Sequence, residues 1–411
     1  MLSPARFRQG EVHEQAHRLG RGHPRRDARP RPGRRTPTGQ RLHCHRHCAR
    51  HSTGGTLSPE RTQALADKLA ALTPAGQPTT TELLKQKLGV DDNPLSELVD
   101  QVINPADYTC TASTPVRDWL VASRADWTPQ DVALVNAIRS WDPIFYDAVL
   151  WPQDAGSQFG ANGQFTTATT HTFRDLRNFW DIHGADIKLV PMHGSMLLDR
   201  PRLVRLFAEG YGLPVALANE FADEIATAMN QEKFDFGNHP FFTFNAFAFA
   251  GQNIPGFTVI PAEILMGDGI LAAYQALGYD DVTAQAILAH EYGHHVQFQR
   301  GLFQTTLTGP EAARRIELMA DSFASYFLTH ARGDALQWKR IQEFDQVFFQ
   351  LGDCSFTAGS HHGTPNQRLR ASEWGYGVAR TAANQGHILP SLAFAGLFDR
   401  QLPTLVAPDA N

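Results

Sequence analysis

The sequence predicts an α+β fold in which helices predominate. Apolar residues recur at helical spacing through most of the chain after residue 57, and several of these segments begin with a capping residue followed by proline. Only two short runs, near residues 187–191 and 244–251, favour strands. With 411 residues and 42% hydrophobic content, the chain can bury a sizeable core, and no run of apolar residues is long enough to predict a membrane-spanning helix.

The N-terminal segment differs in composition from the rest of the chain. Residues 1–50 contain 13 arginines, no lysine and three acidic residues, so their balance is +10, whereas the remaining residues are at −15. The low apolar content predicts that residues 1–56 are disordered, and the lack of an apolar h-region argues against a signal peptide. A basic tail for nucleic acid or membrane, a metal-binding segment at His43–His51 and a misplaced start at Met1 are the alternatives. The acidic remainder argues against a nucleic-acid partner.

Residues 57–153 are predicted to form a helical N-terminal region. Ser58 and Thr128 each precede a proline and an amphipathic segment, which is typical of a helix start, and TTTELLKQKLG adds a further helical pattern between them. A Gly-, Ser- and Thr-rich loop at 154–170 is a candidate domain boundary. An inhibitory prodomain, a substrate-docking module and a part of the main core are equally compatible with this region.

The larger predicted domain covers residues 171–411. It should begin with a helix near 173–180 and the strand at 187–191, and continue with helices near 201–209 and 213–230.

The most informative segment contains His290, Glu291 and His294 in the order H-E-x-x-H. The absence of proline from Val282 to Gln297 predicts one helix, on which the two histidines lie one turn apart and can bind one zinc ion, with Glu291 beside its open position. Gly293 costs about 1 kcal/mol of helix propensity, which a close approach by another backbone or by substrate would explain. A core helix with two satisfied histidines is the alternative.

A catalytic zinc usually needs one more protein ligand and keeps its fourth position for water. Thr308 and Glu311 predict a capping box that starts a second helix near Gly309. On that helix Glu317 and Asp321 lie one turn apart beside the apolar stripe, where carboxylates need partners. Glu317 is the candidate third ligand, and Asp321 is the candidate acceptor of the free N–H of a ligating histidine. A solvated acidic face beside two arginines is the alternative.

HEYGHHVQ followed by ELMAD resembles the bacterial neutral zinc metallopeptidases, which belong to the gluzincin clan. The resemblance covers residues 173–376. It implies a zincin-like metalloprotease fold with an active-site helix, a Glu-bearing helix and a small sheet with an edge strand. It also implies roles for site residues: His290, His294 and Glu317 as zinc ligands, Glu291 as general base, and Asp321 as the support of a ligand.

HGTPNQR resembles the H-x5-R element that follows the metal site in this clan. Thr364 and Gln367 predict another capping box, so His362 and Arg368 should flank a helix N-terminus. An imidazole and a guanidinium at such an end would stabilise the oxyanion of a tetrahedral intermediate, which makes both residues candidate catalytic groups. A well-capped surface helix is the alternative.

FNAFAFAG, residues 244–251, resembles the edge strand that precedes the active-site helix in the same proteins. Its apolar residues change phase along the segment, which predicts a bulge near Asn245. An edge strand beside the zinc would pair with an extended peptide, whereas a purely structural strand is the alternative.

These residues together predict a zinc-dependent endopeptidase that acts on a peptide or protein substrate. Zinc lowers the pKa of a water, and Glu291 takes the proton and then passes it to the leaving amine. A zinc aminopeptidase is one alternative, although no motif identifies the amine-binding pocket it needs. A non-catalytic zinc-containing binding protein is another, although a structural zinc would want a fourth protein ligand and no base.

Two cysteines, Cys110 and Cys354, lie outside the Arg-rich tail. A disulfide between them would suit a secreted enzyme, and two free thiols would suit a cytoplasmic one. The resemblance favours a secreted protein or one peripheral to the cell envelope over a cytoplasmic protein. The sequence leaves the oligomeric state open.

Overall fold

A computed structural model describes residues 57–72, 114–152, 157–351, 363–381 and 386–409. Within these residues the chain is predominantly helical and carries a small mixed sheet, which confirms the α+β prediction. None of the described helices combines the length and the apolar character that crossing a membrane requires.

Several sequence-based predictions lie outside the described residues. They are the disordered tail at 1–56, the helical pattern TTTELLKQKLG, the two cysteines Cys110 and Cys354, and the candidate catalytic residue His362.

The helices are labelled in chain order. Those before the first strand are α1 (Pro59–Ala71), α2 (Pro115–Ala122), α3 (Pro129–Trp141), α4 (Pro143–Leu150) and α5 (Thr166–Phe179). Between the first two strands lie α6 (Arg200–Arg205), which continues as a π-turn over Leu206–Gly210, and α7 (Val215–Met229). After the last strand come α8 (Asp268–Ala276), α9 (Asp280–Arg300), α10 (Gly309–Thr329), α11 (Trp338–Leu351), α12 (Pro365–Arg380) and α13 (Ser391–Leu405).

Local capping explains where the predicted N-terminal helices begin. The Ser58 side chain accepts a hydrogen bond from the Arg61 backbone N–H, and Thr128 forms a capping box with Asp131. The helix predicted at 173–180 begins earlier, inside the predicted loop. The hydroxyls of Thr169 and Thr170 donate to carbonyl oxygens one turn earlier, so these threonines satisfy their polar groups within the helix.

The main sheet has three strands in the order β1-β5-β2. Strand β5 (Ala262–Gly267) is central, with β1 (Ile187–Met192) parallel to it and β2 (Ala246–Phe249) antiparallel on the other side. Strands β3 (Gln252–Ile254) and β4 (Thr258–Ile260) form a separate hairpin. Within the described residues β2 is an edge strand of this sheet, as the resemblance implies.

A hydrophobic core lies on each face of the sheet. Ile264 and Met266 of β5 share a cluster with α9, α10 and α12, whereas Leu265 shares a second cluster with α4 and α7. Phe145 of α4 meets Phe247 of β2 edge-on at 5.3 Å between ring centroids. The alternation along β5 therefore gives the sheet two buried faces, one of which carries α9.

Two local predictions are wrong. The β2–β5 register is continuous from Ala246 to Phe249, so there is no bulge near Asn245. The change of apolar phase arises because a 3₁₀-helix at Pro240–Thr243 precedes the strand. The capping box predicted for Thr308 does not form, because Thr308 makes no side-chain cap bond and Glu311 turns to the Arg314 guanidinium instead.

Glu263 is a fully buried carboxylate in the centre of the sheet. It is 0% exposed, it lies opposite Lys188 of β1 and Phe249 of β2, and its two carboxylate oxygens have no hydrogen-bond partner in the described part of the chain. Burial raises the pKa of Glu263 to about 8, and the charge of Lys188 opposes this only in part. Glu263 is therefore protonated in the folded protein at neutral pH.

Glu263→Gln should flatten the pH dependence of stability. The folded carboxyl keeps its proton up to about pH 8, whereas the unfolded chain releases it near pH 4.5. The free energy of unfolding of the parent should therefore fall by roughly 1.4 kcal/mol per pH unit as the pH rises through this window. Urea unfolding across the window would measure this, with the exposed Glu220→Gln as a control that keeps the parent slope. A parent curve as flat as that of Glu263→Gln would contradict the assignment.

Candidate metal centre

Three potential ligands converge between α9 and α10. Helical spacing places His290 and His294 on one face of α9, with their Nε2 atoms 3.2 Å apart. From α10, Glu317 approaches both rings, with Oε2 3.3 Å from Nε2 of His290 and Oε1 3.5 Å from Nε2 of His294. The three ligand atoms lie within 4.8 Å of one another, so this group could hold one metal ion.

The donor set suits a catalytic type of site. Two imidazole nitrogens and one carboxylate are a common ligand set for zinc in hydrolases, and they leave a coordination position for water or substrate. The side chains of His290, His294 and Glu317 are 8%, 12% and 17% exposed, so all three are largely shielded from solvent. The chemistry of the residues therefore fits Zn²⁺.

Each histidine is oriented through its other ring nitrogen. Nδ1 of His290 donates to Asp321 Oδ1 at 2.8 Å, as predicted, and Nδ1 of His294 donates to Gln297 Oε1 at 2.8 Å. The Gln297 amide donates in turn to the Ile316 carbonyl at 2.7 Å, which fixes its oxygen towards His294. Both Nε2 atoms are thereby directed at the site.

Sequence reasoning missed Gln297. Its signal was present, because Gln297 follows His294 by three residues on the same helix and so lies on the same face.

Arg368 lies behind His290, on the side away from the ligand atoms. Its Nε donates to Asp321 Oδ2 at 2.8 Å and its Nη2 to Asp321 Oδ1 at 2.5 Å, and Nη2 is 3.5 Å from Nδ1 of His290. The predicted capping box of Thr364 with Gln367 is confirmed, and it starts the helix that carries Arg368. Arg368 thus acts on the site through Asp321, and a direct role at an oxyanion stays a prediction.

Burial and neighbouring charges shift the pKa values of His290 and Glu291. Burial disfavours the charged form of His290, but the hydrogen bonds to Asp321 and Glu317 outweigh it and raise the pKa of His290 to about 10. Burial raises the pKa of Glu291, while the two histidines oppose that shift. Glu291 is 7% exposed, so this carboxylate lies beside the ligands with little water around it.

Close packing of α9 on α10 explains Gly293. A Cβ at this position would lie 3.2 Å from the Ala320 Cα and 3.3 Å from the Ala320 oxygen. Of the two predicted reasons for this glycine, the approach of another backbone is therefore confirmed. It brings the histidines of α9 within reach of Glu317 on α10.

No protein-family model matches the chain, and the comparisons with curated proteins and with solved structures found no significant match.

Asp321→Asn should destabilise the protein strongly, because it leaves the buried Arg368 guanidinium without its counter-charge. We expect a loss of about 3–5 kcal/mol in the free energy of unfolding and about 10–100-fold weaker zinc binding. Asp399→Asn is the matched control, since Asp399 also holds an arginine by two hydrogen bonds, but is 45% exposed. It should cost less than Asp321→Asn, because water reaches the Asp399 side of the pair and the Leu302 carbonyl still accepts from Arg315, and it should leave zinc binding unchanged. Equal effects of the two variants on chelator-competition titrations would contradict the role of Asp321.

Gly293→Ala should weaken metal binding although alanine favours helices by about 1 kcal/mol. The new methyl group meets the Ala320 backbone, so α9 and α10 must separate and the ligands with them. Gly377→Ala on α12 is the control, because a Cβ there meets nothing within 4 Å. Zinc affinity should fall only for Gly293→Ala, and an unchanged affinity would show that the helix spacing does not limit the site.

Proposed function

We propose that this protein is a zinc-dependent endopeptidase with a zincin-like arrangement of its site. The observation that carries the proposal is the convergence of His290, His294 and Glu317 from two packed helices, with Glu291 next to the first histidine in the same helix. The likeness of HEYGHHVQ and ELMAD to the neutral zinc metallopeptidases supports the same function.

Each residue of the site would have a distinct role in hydrolysis. His290, His294 and Glu317 would hold a Zn²⁺ ion, which when bound supplies Lewis acidity to a water and to the substrate carbonyl. Glu291 would take a proton from the attacking water and deliver it to the leaving amine. Glu291 is only 7% exposed and directly follows the ligand His290, so little bulk water competes for the proton that this carboxylate would carry.

The electrostatics of the site support hydrolysis of an amide. A bound dication would displace the proton of His290. With two neutral imidazoles and one carboxylate the site would then carry a net charge of +1, which would favour the negative charge that develops on the carbonyl oxygen. Asp321 and Arg368 neutralise one another behind His290, so they keep that ligand oriented without changing this balance.

An extended peptide is the substrate that the sheet favours. Strand β2 pairs with β5 on one side within the described residues, and we infer that its other side pairs with the peptide. Main-chain pairing at such an edge binds peptides with limited dependence on sequence. Contacts between β2 and α9 keep this edge next to the helix that carries the histidines.

The proposal is tested by hydrolysis of an internally quenched peptide library with the full chain loaded with zinc. Glu291→Gln should lower kcat by about 10²–10⁴-fold at equal zinc content, because only the proton transfer is removed. Glu220→Gln, a surface substitution on α7, is the control and should retain parent activity. Chelation should abolish cleavage and zinc should restore it.

Three outcomes would count against this function. Equal activity of the parent and Glu291→Gln would overturn the general-base role. No cleavage by a parent that binds one zinc per chain would favour the non-catalytic binding protein, and cleavage limited to N-terminal residues would favour the aminopeptidase.

A further inference from the structure

A pair of stacked phenyl rings lies beside the candidate metal centre. The ring of Phe303 is 6.5 Å from the imidazole of His294, measured between centroids. It is 4.8 Å from the ring of Phe298, and the two phenyl planes are only 5° apart. His294 and Phe298 are four residues apart on α9 and so share one face of that helix. Phe303 therefore packs on the same face of α9 that carries a candidate metal ligand.

The end of α9 fixes the position of Phe303. Gly301 adopts a left-handed conformation with φ +66°, and the N–H groups of Gly301 and Leu302 bond back to the last turn of the helix, so the chain reverses there. The Leu302 carbonyl then accepts a hydrogen bond from the buried Arg315 guanidinium of α10 at 2.7 Å. Phe303 follows directly, and it is held from both helices.

The two phenylalanines do not fill a core. Phe298 and Phe303 are both partly exposed, and neither belongs to the two hydrophobic cores of the described residues, whereas the neighbouring Leu302 packs against the first of them. The stacked pair thus leaves apolar surface in water next to a group of convergent polar side chains. Apolar walls around a few such polar groups are the usual lining of a ligand-binding cleft.

We propose that Phe303 is a specificity-determining residue, which together with Phe298 binds the side chain of a substrate residue next to the scissile bond. This inference rests on the proposed peptidase function and adds the substrate class, namely peptides with an aromatic or another large apolar residue beside the bond that is cleaved. An aromatic side chain fits best, because it adds a contact between rings to the apolar area that it buries.

The distance between Phe303 and His294 determines which part of a substrate the ring can contact. In the proposed function His294 helps to hold the ion that polarises the carbonyl of the scissile bond. Successive residues of an extended peptide are about 3.3 Å apart. A ring 6.5 Å from the His294 imidazole is therefore within reach of a side chain that flanks this bond.

The connection that carries Phe303 also disfavours a charged side chain at this place. Its sequence from Gly301 to Thr308, GLFQTTLT, contains no charged residue. A charged substrate side chain against the stacked rings would lose part of its hydration and would gain no counter-charge from this segment. The expected order of preference is therefore aromatic, then aliphatic, then charged.

The test uses quenched peptides that share one cleavable bond and carry phenylalanine, alanine or glutamate at each of the two flanking positions in turn. The parent should prefer phenylalanine to alanine at one of these positions by about tenfold or more in kcat/KM. The position that shows the preference identifies the side of the bond that Phe303 contacts. Phe303→Ala should reduce the preference to near one, and Phe303→Leu should keep part of it.

A reversal of selectivity separates a substrate contact from a merely structural role. Phe303→Lys should prefer glutamate to phenylalanine at the same position, because an ammonium group replaces the apolar surface. Each ratio compares two peptides on one enzyme preparation, so any change in zinc content cancels. Phe236→Leu is the control, since Phe236 is 49% exposed in the turn that follows α7, and it should keep the parent ratios. A parent ratio near one at both positions, or parent ratios in Phe303→Ala and Phe303→Lys, would overturn the proposal.

A binding measurement distinguishes this inference from the proposed function. Fluorescence anisotropy of the labelled phenylalanine and alanine peptides on zinc-loaded Glu291→Gln needs no turnover. If no peptide is cleaved by the parent but the phenylalanine peptide binds more tightly, and this difference disappears when Phe303→Ala is added, the peptidase proposal fails and the apolar subsite stands. Equal binding of the two peptides would overturn the subsite whether or not the parent cleaves them.

Discussion

The carboxylate of Asp321 is the contact on which the candidate site depends. One buried side chain on α10 accepts a hydrogen bond from His290 of α9 and two from Arg368 of α12. Both charges of the Asp321–Arg368 pair are buried, so removal of either one leaves the other as an uncompensated charge in the protein interior. The orientation of a ligand and the packing of three helices are therefore set by the same interaction.

The parts of this arrangement that are local in the chain could be predicted from the sequence. Helical spacing alone places His290 beside His294 and Glu317 near Asp321, and the carboxylates stand out because they lie next to apolar residues. The capped start of α12 was predictable for a similar reason, since Thr364 and its partner are three residues apart.

The parts of the site that depend on tertiary contacts could not be predicted from the sequence. Thr308 and Glu311 have the sequence pattern of a capping box, but Glu311 accepts a hydrogen bond from the Arg314 guanidinium instead. An unpaired charge in the protein interior costs more free energy than an unmade cap at a solvent-exposed helix end. The sequence predicts a role for Arg368 at the substrate oxyanion. Its hydrogen bonds to Asp321 depend on the packing of α12 against α10, which no local pattern indicates.

The close pair α9 and α10 has a consequence for how the site assembles during folding. All three donor side chains belong to two consecutive helices joined by a short connection, so little loop entropy opposes their meeting. Contacts of this sequence-local kind are the ones that form early in a folding chain. Arg368 lies 47 residues beyond Asp321, so a longer loop must close before its guanidinium can meet the same carboxylate.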